Sequence, residues 1–138
     1  MSENRYATPQ EAEDAFYAAF IKRDVDAMMS VWAEDEDIAC IHPLSPMTTG
    51  VAAVRGSWEN IFRHSPPMKF MITEKSRLVD AKLAVHIVEE HIQVNNEPTR
   101  APVLATHVYR LTDNGWRMIL HHASPSPKSN KQDKQTLH

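Results

Sequence analysis

The chain has a single cysteine, Cys40, among 138 residues, which excludes an intrachain disulfide framework and suits a reducing compartment. Only three glycines are present, so a Gly-rich phosphate loop or a dinucleotide fingerprint is excluded. There is no stretch of 18 apolar residues and no apolar segment near the start, which predicts neither a membrane span nor a signal segment. The expectation is a cytoplasmic, soluble protein. Lys and Arg number 15 against 18 Asp and Glu and are scattered, so the clustered positive charge that grips a phosphate backbone is missing. No nucleic-acid partner and no membrane partner are expected. With 42% hydrophobic and 24% charged residues, the composition fits one globular domain with a real core.

Thr8-Pro9 followed by Glu11 forms a capping-box pattern, and Ala12, Ala15, Phe16, Ala19 and Phe20 recur at helical spacing opposite Glu13, Asp14 and Lys22. A first helix with one buried apolar stripe follows. Asp24 predicts the cap of a second helix running from Val25 to about Ala33, with Val25, Met28, Met29 and Trp32 on one face. The acidic run 34–37 ends that pattern, and the apolar run 38–41 reads as a short strand before His42-Pro43. The segment 43–50 is rich in turn residues. A third helix then carries Val51, Val54, Trp58, Ile61 and Phe62 on one side until Ser65-Pro66-Pro67 stops it.

Beyond Pro67 the chain reads as four long strands, 68–76, 83–94, 101–111 and 116–124, joined as an antiparallel meander. In three of them apolar residues occupy adjacent positions, as in Val85, Ile87 and Val88 or Met118, Ile119 and Leu120, so both sheet faces are expected to be covered. Three helices serve one face; a second copy of the sheet in a twofold homodimer serves the other. The fold class is α+β, with three N-terminal helices packed on a bent antiparallel sheet. The expected organisation is an N-terminal extension over 1–7, one domain over 8–125 and a flexible polar tail over 126–138.

The order of elements, the pattern D-x-D-A-M-x-x-V-W over 24–32, His42-Pro43 after the first strand, and N-G-W-R-M-I-L-H-H-A-S over 114–124 resemble the SnoaL-like branch of the nuclear-transport-factor-2-like superfamily. The resemblance covers about residues 8–125. It implies a cone-shaped fold, a bent sheet wrapped around the first helix, one pocket, and homodimers through the sheet. It also implies isomerase, cyclase or dehydratase chemistry, or non-catalytic binding and assembly, because a fold alone does not fix a function.

Eight histidines are present, the side chains whose ordinary pKa lies nearest neutrality. By the resemblance, His42 matches the proton-shuttling aspartate of ketosteroid isomerases, and His107 matches their neutral carboxylic acid. Phe16 stands where those enzymes carry a tyrosine. His42 and His107 are therefore the candidate catalytic pair for proton transfer next to a carbonyl, each set against the plainer reading of a hydrogen-bonded structural histidine. Phe16, Trp58, Glu90, Tyr109 and His122 are the candidate substrate-binding residues. His121 and His122 are adjacent in one strand, so only one can face the pocket. His86 and Glu90 share one face of their strand, and His107 shares one with Ala105, Tyr109 and Leu111. No helical H-E-x-x-H occurs, and neither a metal nor an organic cofactor is expected. The expected ligand is a small hydrophobic or carbonyl-containing molecule. The rival reading is a ligand-binding or dimeric assembly domain without turnover.

Overall fold

The computed structural model describes residues 5–98 and 101–127. Helix α1 (Pro9–Lys22) starts at Thr8, whose Oγ1 accepts from the Glu11 N–H at 3.1 Å. The returning arm of the capping box lands one residue earlier than the usual pattern: Glu11 Oε1 accepts from the Ala7 N–H at 2.9 Å. Arg23, in the left-handed region at φ 56°, closes the helix. The buried face of α1 is broader than an apolar stripe. It includes Glu13, expected on the polar side, together with Phe16 and Tyr17.

Asp24 Oδ1 caps helix α2 (Val25–Met29) at 3.0 Å from the Ala27 N–H, as its sequence predicts. The helix stops four residues short of Ala33 because the last strand, β7 (Gly115–Pro125), captures the backbone that follows. The Met118 N–H donates to the Val31 carbonyl at 2.9 Å and the Ala33 N–H to the Met118 carbonyl at 3.0 Å. Helix α3 (Val51–His64) buries Val54, Trp58 and Phe62, the expected face.

The sheet contains β1 (Ala39–Ile41), β2 (Met47–Thr49), β3 (Met68–Val79), β4 (Leu83–Val94), β5 (Glu97–Pro98), β6 (Val103–Thr112) and β7 (Gly115–Pro125). Its order is β2-β1-β7-β6-β4-β3, with β5 paired to β4, and it curls without closing. The four long strands form the expected meander. The sheet is not antiparallel throughout, since β1 runs parallel to β7, with Cys40 opposite His121. Strand β2 arises where turn residues alone were expected: Thr48 and Thr49 pair back onto β1.

One bulge sets which residues of β7 face the core. Between the pairs Val108–Leu120 and Tyr109–Met118, Ile119 is the extra residue of β7. The inward phase therefore passes from Trp116 and Met118 to His121 and Ala123, whereas strict alternation would carry it from Met118 to Leu120 and His122. Tyr6, placed in the expected N-terminal extension, is buried and bridges to Gly115, and the Trp116 N–H donates to its carbonyl at 2.9 Å. Gly115 has φ 91°, and a Cβ there would lie 2.8 Å from the Tyr6 backbone, so only glycine fits. From residue 128 onward the expected polar tail lies outside the described residues.

Candidate functional site

His86, His107 and His121 stand directly opposite one another on β4, β6 and β7, forming one inward row across the sheet. All three are at most 2% exposed. Helix α1 lays Glu13 against this row. Glu13 Oε1 accepts from His86 Nδ1 at 2.9 Å, from His107 Nδ1 at 3.1 Å and from the Tyr109 hydroxyl at 3.1 Å. Burial pushes the Glu13 carboxyl upward, but the hydrogen bonds from His107 and His86 outweigh it and hold the group far below the usual carboxylate range. A carboxylate only accepts, so both imidazoles carry their proton on Nδ1. Burial lowers the pKa of His107 despite the opposing pull of Glu13, which keeps the ring neutral and its Nε2 a bare acceptor.

One turn along α1, the Tyr17 hydroxyl donates to Glu90 Oε2 at 2.5 Å. Burial raises the Glu90 carboxyl to about 7, against the lowering effect of the tyrosine bond. The tyrosine that the resemblance places at Phe16 is thus replaced by one at the next residue, paired with a carboxyl on β4.

His42, at the end of β1, has a different setting. Its Nε2 lies 3.1 Å from Ser57 Oγ and 3.5 Å from Cys40 Sγ, and burial pushes its pKa down to about 4. Burial also pushes the Cys40 thiol up to about 12, which makes it a poor nucleophile.

Between His42 and His107 stand His121, Phe16 and Trp58. The His121 ring centroid is 5.9 Å from that of His42 and 5.0 Å from that of His107. Phe16 lies 4.9 Å from His107 and 5.1 Å from His121, while Trp58 lies 4.6 Å from His42 and 5.5 Å from Phe16. Phe16 and Trp58 have no exposed surface. The candidate pair is separated by packed rings, and burial pushes the His121 pKa well below its ordinary value. Of the candidate binding residues, Phe16, Trp58, Glu90 and Tyr109 lie inside. His122 is exposed and points outward, a correction that follows from the Ile119 bulge.

Sequence reasoning missed Glu13, Tyr17 and Ser57. A signal for the first two was present: Glu13, Phe16, Tyr17 and Phe20 themselves follow the helical i, i+3, i+4, i+7 pattern. Elsewhere, a cavity of about 430 Å³ opens where the α2–β1 connection meets the β6–β7 turn, with Trp32, Asp35, Arg110 and Arg117 in its walls. Among the described residues no group of three or more His, Cys, Asp or Glu is arranged to hold a metal ion, and no helix is long and apolar enough to cross a membrane.

The SnoaL-like domain model matches residues 10–128. A Thiobacillus denitrificans structure described as a calcium/calmodulin-dependent protein kinase type II association domain is 44% identical, with a TM-score of 0.86 over 90% of this chain and 99% of that one. A Streptomyces avermitilis structure, described as a dehydratase of the NTF2-like family, is 28% identical, with a TM-score of 0.76 over 85% of this chain and 92% of that one. The Arabidopsis thaliana F-box protein SKIP8 is 24% identical over 110 residues, or 79% of this chain and 46% of that protein. The chain thus spans about half the length of that curated relative. With its fold shared by structures described as NTF2-like and cystatin-like, and a family model covering most of its length, the chain belongs to the SnoaL-like domain family, whose fold supports small-molecule binding.

Proposed function

We propose that this chain is a small-molecule-binding domain that assembles as a twofold dimer through the outer face of its sheet, without using His42 and His107 as a catalytic pair. The SnoaL-like fold supports the small-molecule part, and the filling of the interior carries the exclusion of the histidine pair. Proton transfer next to a carbonyl needs both groups within hydrogen-bond reach of one substrate, about 2.6–3.2 Å. Phe16, Trp58 and His121 occupy the space where that substrate would sit. The outer face supports assembly. Leu78, Val85, Val108 and Leu120 form one directly paired row, with Ile87 in the adjacent row between Ser76 and Thr106, and Leu78 is 68% exposed. A contiguous apolar face of this kind marks an interaction surface, and a self-complementary one gives a twofold dimer. The 44% identical neighbour is itself described as an association domain. Sedimentation at micromolar concentration should give a dimer, and Leu120→Glu should give a folded monomer. A monomeric parent protein, or a Leu120→Glu dimer, overturns the assembly.

One observation favours an enzyme instead. Glu13 orients His107 so that a bare Nε2 faces a dry interior, the arrangement of a general base backed by a carboxylate. In that reading His107 accepts a proton, Glu13 is its positioning residue, and the Glu90 carboxyl, raised to about 7 by burial and bound by Tyr17, is the proton donor. The 28% identical neighbour described as a dehydratase lends it support.

A further inference from the structure

The cavity of about 430 Å³ has no residue in common with the histidine clusters, and its volume lies within the range of small-molecule sites. Its walls carry charges of both signs. Arg110 and Arg117 are direct partners across β6 and β7, a placement in which like charges repel and which costs stability unless anions compensate. Each guanidinium is held in place. Arg110 donates to Asp35 at 2.6 Å; Arg117 donates to the Ser30 carbonyl and lies over the Tyr6 ring, 5.1 Å from its centroid. Glu34 and Asp113, both exposed, lie at its rim, and Met29 gives it an apolar part beside the buried Trp32.

Five charged residues therefore line one cavity, two positive and three negative, with Arg110 and Asp35 already paired. A simple anion entering it meets three carboxylates, and a simple cation meets two guanidiniums. A zwitterion satisfies both sets at no net charge. We propose that this cavity binds a free α-amino acid, with its carboxylate on the planar donor fork of Arg110 beside Asp35, its ammonium toward Glu34 and Asp113, and its side chain against Met29 and Trp32. This names the ligand class for the small-molecule part of the proposed function and is independent of the dimer, which sedimentation tests separately.

The experiment is a titration of the full chain with L-leucine, glycine, sodium acetate and methylammonium chloride, followed by backbone amide NMR. L-leucine should produce saturable shifts at Ala33, Thr112 and Asn114, while acetate and methylammonium, each lacking one charge, should bind at least about tenfold more weakly. Arg110→Gln should weaken L-leucine at least about tenfold with the remaining spectrum preserved, and Asp113→Asn should weaken it in the same direction. Glu59→Gln, on the exposed side of α3, should leave binding unchanged. No saturable shift with either amino acid overturns the proposal. So does acetate binding as tightly as L-leucine, which makes the site a plain anion site, and so does equal binding of methylammonium, which makes it a cation site. Retained affinity in Arg110→Gln also overturns it.

Discussion

The interior holds histidine in two electrostatic settings. Around α1, His86 and His107 share one carboxylate oxygen of Glu13, so a buried anion balances the polarity of the ring N–H groups. At the end of β1, His42 meets only a hydroxyl and a thiol. Burial lowers the pKa of His42 and of His107 alike, but only at His107 does a carboxylate oppose it. The partner rather than the depth of burial decides what each ring does. His107 is locked as an acceptor at Nε2, whereas His42 is governed by neutral neighbours that a single substitution can remove.

The largest expected effect comes from breaking the charged setting. Glu13→Ala leaves the Nδ1–H groups of His86 and His107 and the Tyr109 hydroxyl without their shared acceptor, and removing one partner of such a buried set costs about 3–5 kcal/mol. Glu13→Gln keeps an acceptor but loses the charge and should cost less, about 1–3 kcal/mol. Urea denaturation checks both. If Glu13→Ala costs no more than His42→Gln, the contrast between the two settings collapses. Ring-nitrogen NMR on the same samples bears on the enzyme reading: His107 should carry its proton on Nδ1 in the parent protein and populate both tautomers in Glu13→Gln. A parent His107 protonated on Nε2 ends its candidacy as the base.

The second effect separates the settings by pH. His42 has a native pKa of about 4 against about 6.5 in the unfolded chain, so between those values the unfolded state binds a proton that the native state does not. Stability is then lost as pH falls from about 6.5 toward 4, by up to about 3 kcal/mol for His42, and His107 and His121 add to the loss in the same direction. Glu13 acts lower: its contribution is complete above about 4.3 and is lost as pH falls below that. Glu90 has the opposite sign, because a carboxyl raised to about 7 contributes fully below about 4.3 and loses its contribution as pH rises through 7. Urea midpoints across this range should show His42→Gln flattening the upper acid limb, Glu13→Gln the lower one, and Glu90→Gln the loss toward neutral pH. A single slope changed equally by all three variants would show that the groups do not titrate as separate settings.

Much of the fold was legible because local signals agreed with it. The Thr8 cap, the Asp24 cap, the α3 face and the meander all follow from patterns a few residues long. What escaped depended on tertiary pairing. The shortening of α2 is caused by β7, more than eighty residues away, and β2 exists only because β1 offers an edge. The site was legible in part for the same reason. Period-2 reading placed Glu90 with His86 and His107 with Tyr109 on one buried face, and their burial agrees. It failed at His121 and His122 because one extra residue at Ile119 shifts the phase. Glu13 escaped because a carboxylate in a helix is ordinarily solvated, and its burial depends on the three donors brought by β4 and β6: His86, His107 and Tyr109.

The smallest expected effect belongs to the neutral setting. Ser57 donates its one hydroxyl proton to the Val54 carbonyl at 2.7 Å, so its oxygen can only accept from His42 Nε2, 3.1 Å away. The neutral His42 ring is therefore protonated on Nε2, the opposite tautomer from His107. Ser57→Ala removes that acceptor, a loss of about 1 kcal/mol, and the better helix propensity of alanine within α3 returns about half of it. The net change should be under about 1 kcal/mol. The informative readout is the ring itself, since without the Ser57 oxygen His42 should shift toward the Nδ1-protonated form while His107 stays unchanged. A loss of more than about 2 kcal/mol, or a His107 signal that moves together with His42, would mean that the two settings are one network joined through His121.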